Sequence, residues 1–253
     1  MNPEDIPDFV RNSVSWNPWH GCHRVSDGCL NCYMFVGDKS RGVNDSDIVR
    51  RSKTQFDLPL RKDRKGKYLL RDRLILTSMT SDFFIEEADA WRPEIWDIIR
   101  ARQDLTFSII TKRIHRFRVG LPDDWGDGWD HVHICVTCED QSAANDRLPI
   151  LLDLPLKHRS VIHEPMLGRI DIETALASGK IESVTCGGES GEGARECDFA
   201  WILFSMEQCV RQGVRFHFKQ TGANFRKGDR VYHIDRKDQM IQAAKAGVDY
   251  LPY

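Results

Sequence analysis

The sequence predicts a parallel α/β fold, a full or partial (β/α) barrel. Three observations lead there. Seven short runs of apolar, β-branched and aromatic residues recur along the chain. Helical patterns fall between most of them, and polar or charged residues come after each one. A chain of 253 residues can bury one large core, and α/β barrels use this length as a single domain. The expected organisation is therefore one domain over residues 1–253, with a basic insertion at about 38–72.

The expected strands lie at 13–16, 73–78, 106–111, 131–137, 159–163, 182–186 and 214–218. Their composition over four to seven residues suits strands buried on both faces of a parallel sheet. Helical patterns occupy 86–102, where Ile95, Trp96, Ile98 and Ile99 come after Pro93, and then 139–152, 170–178 and 198–212. Gly179 and Gly213 are placed to cap the last two of these. A final helix at 235–246 stops at Gly247. No internal repeat, low-complexity segment or linker divides the chain.

Composition narrows the functional classes. Hydrophobic residues make up 41% and charged residues 29%, as in an ordinary soluble protein. No apolar run approaches the roughly 20 residues a membrane-spanning helix needs. The opening MNPEDIPDFV is acidic where a secretory signal would be basic and then apolar, so a cytoplasmic location is expected, with no membrane partner. In that compartment eight cysteines read as thiols or metal ligands and not as disulfides. The formal net charge of −2 excludes a generic polyanion binder. The charge is uneven, however. Arg50, Arg51, Lys53, Arg61, Lys62, Arg64, Lys65, Lys67, Arg71 and Arg73 stand against Asp57, Asp63 and Asp72, a run able to engage nucleic-acid phosphates or to remain a solvated basic loop.

The chemistry sits in the residues just after each strand. The first strand leads into SWNPWHGCHRVSDGCLNCY, which places Cys22, Cys29 and Cys32 within eleven residues beside Gly21 and Gly28. Three thiolates on such a loop suit either three irons of a four-iron cluster or a zinc ion, with His20 or His23 as a fourth zinc ligand. Ser78, Thr80, Ser81 and Asp82 come after the second strand, and Lys112 and Arg113 after the third. Glu139 and Asp140 come after the fourth, Glu164 after the fifth, Gly187, Gly188 and Glu189 after the sixth, and Lys219 after the seventh. In parallel barrels these ends share the face that holds the active site. Cys135 and Cys138 read as core or rim thiols, and Cys209 as core.

A three-cysteine loop after the first strand of a parallel βα array resembles the radical S-adenosylmethionine superfamily. More closely, SWNPWHGC-x6-C-x2-CY, SMTSDFF, IITKR, HEPMLG, GGESGxxAR and FxFKQxG look like an uncharacterised family widespread in phages and prophages. The resemblance implies a barrel of the radical S-adenosylmethionine type and a [4Fe-4S] cluster on Cys22, Cys29 and Cys32. S-adenosylmethionine would bind the open iron and be cleaved to a 5′-deoxyadenosyl radical, with an electron donor such as flavodoxin or ferredoxin. Six residues separate Cys22 from Cys29 where the superfamily has three, and the G-G-E here comes after the sixth strand, not the second. The methionyl end is therefore expected at Ser78, Ser81 and Asp82, with Tyr33 near the adenine and Glu139 as a further cofactor contact. Lys112, Glu164, Glu189 and Lys219 are expected to orient substrate at the barrel mouth.

The substrate expected on this reading is a nucleobase or nucleotide, in phage DNA modification in the host cytoplasm, reached through the run from Arg50 to Arg73. Isomerisation or carbon–carbon bond formation on a modified thymine is its narrower form. Two alternatives stay open: a zinc-stabilised nucleic-acid-binding protein without catalysis, and a radical enzyme acting on a peptide or small metabolite.

Overall fold

The computed structural model describes residues 13–252 and places a strand at each of the seven predicted runs. The strands are β1 (Ser13–Trp16), β2 (Trp19–His20), β3 (Arg50–Arg51), β4 (Leu74–Thr77), β5 (Thr106–Thr111), β6 (Val132–Thr137), β7 (His158–His163), β8 (Ser183–Gly187), β9 (Glu196–Asp198), β10 (Arg215–Gln220), β11 (Asn224–Lys227) and β12 (Arg230–His233). The helices are α1 (Tyr33–Ser40), α2 (Arg92–Ala101), α3 (Gln141–Asp153), α4 (Glu173–Leu176), α5 (Phe199–Gln212) and α6 (Gln239–Lys245).

The fold is mixed α/β. Its main sheet has the order β1-β4-β5-β6-β7-β8-β10, and the β1–β4, β4–β5, β7–β8 and β8–β10 pairs run parallel. Among the described residues no pairing joins β1 to β10, so the full barrel is not what this sheet forms. One reason is local. The outer edge of β10 is already used, because Phe216 exchanges backbone hydrogen bonds of 2.9 and 3.0 Å with Tyr250. Burial on both faces holds for β6, buried at five of its six positions, but not for every strand. β4 and β7 alternate buried and half-exposed residues along their length. In β7 the buried positions are Arg159, Val161 and His163.

The described residues fall into two compact units. The first comprises 13–23, 38–135 and 155–158, the second 24–37, 136–154 and 159–252. The first unit is built on aromatic packing. Trp96 meets Phe83, Trp125 and Trp129 at ring distances of 4.9, 5.3 and 5.9 Å, and Trp19 meets Phe83 at 5.5 Å. Two fully buried arginines tie its loops. Arg92 donates to the carbonyls of Phe83, Ile85 and Val119, which holds residues 83–85 in place and starts α2 at position 92, six residues later than the pattern suggests. Arg102 donates to the carbonyls of Pro59 and Leu70 and to Asp104, and lies 3.9 Å from the Tyr68 ring centroid. Arg102 thus folds residues 59–70 of the basic insertion onto the unit, while Trp16 Nε1 and the β2–β3 pairing hold its earlier part.

In the second unit α3 is capped by Asp140, which accepts from Ala143 N at 2.8 Å, and α5 by Asp198 and by Gly213 at φ 64°. The helix expected at 170–178 is only α4. Buried Gln208 takes the Ile172 N–H and donates to the Ile170 carbonyl, fixing 170–172 outside the helix. The helix α1, directly after Cys32, and the small sheet β12-β11-β9 carry no clear periodic signal in the sequence.

Candidate functional site

The first unit holds Cys22 and the residues just beyond β4 and β5. Trp16 and Trp19, both fully buried, fix the start of the cysteine loop through N–H bonds to the carbonyls of Gln55 (2.8 Å) and Asp82 (3.1 Å). Cys22 N donates to Ser46 O at 2.9 Å. Asp82 is 5% exposed, and its carboxylate accepts from Thr111 Oγ1 (2.8 Å), Lys112 N (2.9 Å) and Phe84 N (3.0 Å). Arg113 lies against Asp82 at 3.4 Å, places Nη1 3.8 Å from Cys22 Sγ, and donates to His23 O. Burial pulls the Arg113 guanidinium down, but Asp82 and Cys22 outweigh it, so its pKa is raised and it stays charged. A fixed cation beside a sulfur stabilises negative charge there.

Ser81 Oγ donates to Gly21 O at 2.5 Å, bracing the loop. Ser78 is different. It is 2% exposed, sits at φ 62°, and its Oγ has no partner among the described residues. A left-handed, non-glycine residue with an orphaned buried hydroxyl is costly, and such features concentrate at ligand sites.

The second unit holds Cys29 and Cys32. A 3₁₀ turn at Asp27–Cys29 brings Cys29 N to Ser26 O at 2.9 Å, and Cys32 N bonds back to Cys29 O at 3.4 Å. Cys29 is buried and Cys32 half-buried just before α1, whose first residue, Tyr33, is 55% exposed. Two carboxylates grip this turn. Glu139, fully buried, accepts from Ser26 Oγ and from Arg147 Nη1 (2.6 Å). Glu189 accepts from Asn31 Nδ2 (2.9 Å) and from Arg195 N and Nη2 (2.8 and 2.7 Å), while Arg195 also donates to Asp27 O. Burial alone would raise the Glu189 carboxyl, but the Arg195 and Asn31 donors hold its pKa below the ordinary value.

Of the residues expected at the substrate, Glu164 and Lys219 come together at 2.7 Å, and Gln220 Nε2 donates to the other Glu164 oxygen at 2.7 Å. Lys112 is half-buried, and its backbone N–H supports Asp82. The GGES and KQTG motifs prove to be one contact. A Cβ on Gly188 would fall 2.2 Å from Thr221 O, so the two strand ends approach through a position only glycine fits. Sequence reasoning misses Arg113 as a partner of Cys22, and Asn31 and Arg195 as partners of Glu189. Arg195 lies within the GGESGxxAR motif, which is the available signal.

Among the described residues none of the eight cysteines forms a disulfide. Six are buried, Cys29 among them, and burial pushes the Cys197 and Cys209 thiols up to about 12 and raises Cys186 as well. The other two, Cys22 and Cys32 of the loop, are half-buried. No described helix is long and apolar enough to cross a membrane. No curated protein and no solved structure matches the chain. A family model described as a protein of unknown function (DUF5131) matches residues 10–247. That match spans nearly the whole sequence, and the chain belongs to the DUF5131 family.

Proposed function

We propose that this protein is a radical S-adenosylmethionine enzyme acting on a nucleobase or nucleotide, in DNA modification. The observation that carries the reading is the cysteine loop. Three cysteines, none of them in a disulfide, stand within eleven residues after the first strand of a parallel sheet, and a buried arginine sits against the first of them. The donor set fits a [4Fe-4S] cluster bound by Cys22, Cys29 and Cys32, because three thiolates leave one iron open. Ser78, with its orphaned hydroxyl, fits a polar cofactor group. When bound, cluster and S-adenosylmethionine supply one-electron cleavage of the sulfonium to a 5′-deoxyadenosyl radical that removes a substrate hydrogen, the electron coming from a flavodoxin- or ferredoxin-type donor.

The chain's own residues divide into three tasks. Arg113, Asp82 and Thr111 hold a positive charge at Cys22 and offset the charge of a thiolate-rich loop. Glu139 and Glu189 act as positioning residues: Glu139 accepts from Ser26 and Arg147, and Glu189 from Asn31 and Arg195, which ties both to the turn that carries Cys29. Glu164 and Lys219 form a half-exposed ion pair suited to orienting a polar substrate.

Anaerobic purification with iron and sulfide analysis tests this. We expect about four irons and four sulfides per chain, 5′-deoxyadenosine on reduction with S-adenosylmethionine, and loss of both in Cys29→Ala. One zinc and no iron, or full iron in Cys29→Ala, overturns it.

A further inference from the structure

Within the first unit, an open cavity of about 650 Å³ lies beside the start of the cysteine loop. The β2–β3 ribbon builds it, pairing His20 with Arg50 and Trp19 with Arg51. The lining is cationic, with Arg41, Arg50, Arg51 and Lys53 present. Its two carboxylates are both engaged. Asp38, 1% exposed, accepts from His20 Nε2 and Arg41 Nη2 at 2.7 Å each. Asp45 takes Arg50 in a two-pronged contact at 2.8 Å. Arg51 is braced against the Phe56 ring, 3.5 Å from its centroid, and bonds Glu94 outside the cavity.

These contacts hold the guanidinium groups in place while leaving further N–H donors unused among the described residues. Among the described residues no ion pair engages Lys53, which is exposed. A site of pre-ordered guanidinium forks whose acids are already paired suits a phosphate and not a metal cation. We propose that this cavity binds a phosphate group of the ligand, either a phosphodiester of a nucleic-acid strand or the phosphate of a free nucleotide. Only part of the basic run takes part, because Arg64, Lys65 and Lys67 lie on an exposed turn outside the lining. Assigning this phosphate to the enzyme's substrate rests on the function proposed above; the anion site itself does not.

The test is fluorescence anisotropy of the full chain with a labelled single-stranded oligonucleotide across a salt series, with dTMP as competitor. Arg50→Gln and Lys53→Gln should each weaken binding roughly tenfold and lower the slope of log affinity against log salt by about 0.7. Arg64→Gln should stay within about twofold of the unaltered chain. Displacement by dTMP identifies a nucleotide phosphate; retention of the oligonucleotide against dTMP identifies the strand backbone. Absence of binding to either probe, unaltered binding in Arg50→Gln and Lys53→Gln, or an equal loss in Arg64→Gln overturns the site. Iron content measured on the same samples keeps the two readings apart: missing iron with intact binding removes the cluster alone, and intact iron without binding removes the phosphate site alone.

Discussion

A methyl group on Gly28 would lie 2.9 Å from three side-chain atoms of Glu139. Glu139 cannot simply turn away, because Arg147 and Ser26 hold its carboxylate in a fully buried position. Gly28→Ala should therefore cost about 1–3 kcal/mol by overpacking, which lowers the melting temperature, and, on the function proposed above, it should also reduce the iron content. A variant with unchanged melting and iron content would show that the turn does not depend on this contact. The glycine is visible in the sequence as part of the three-cysteine loop. Its actual constraint, a carboxylate 111 positions later in the chain, is not, because nothing local signals so distant a contact.

At the scale of elements, the basic insertion is the informative case. Its composition suggests either a phosphate-binding run or a solvated loop, and residues 59–70 are folded down by Arg102 through the Pro59 and Leu70 carbonyls. Replacing Arg102 by Met leaves those carbonyls without their donor and Asp104 without its partner, a loss of about 2–5 kcal/mol. The expected signature is faster tryptic cleavage at Arg64, Lys65 and Lys67, read by mass spectrometry under native conditions. Cleavage at the unaltered rate would mean that other contacts hold the insertion. The helix at 92–101 makes the same point. The apolar pattern marks the helix, but a buried arginine sets where it begins.

For the whole molecule, acid stability carries a specific signature. His163 is fully buried, and burial brings its pKa from 6.5 to about 4, with Nδ1 donating to Cys138 O at 2.6 Å. The folded chain therefore keeps this ring neutral, while the unfolded chain takes up the proton near pH 6.5. Stability from this group is complete above that pH and falls as the pH drops towards 4, by on the order of 3 kcal/mol. Urea midpoints at pH 7.5 and 4.5 should thus separate more in the unaltered chain than in His163→Asn. Equal separations in the two proteins would refute the assignment.

Taken alone, the sequence determined the alternation of strands and helices, the order of chemical groups after each strand, and the three-cysteine loop. Those features are local: they arise from side-chain periodicity, capping residues and spacing along a few neighbouring positions. Only the tertiary structure decided which of the polar residues serve the framework. Asp82 and Glu139 are expected from their places at strand ends to meet the cofactor and Glu189 the substrate, and the structure bonds each carboxylate to groups far away in sequence. Ser78, one hydroxyl in a motif of several, is the one left buried without a partner among the described residues. Position after a strand brings a side chain to the site; whether its hydrogen-bonding capacity is already taken depends on long-range contacts that no short stretch of sequence encodes.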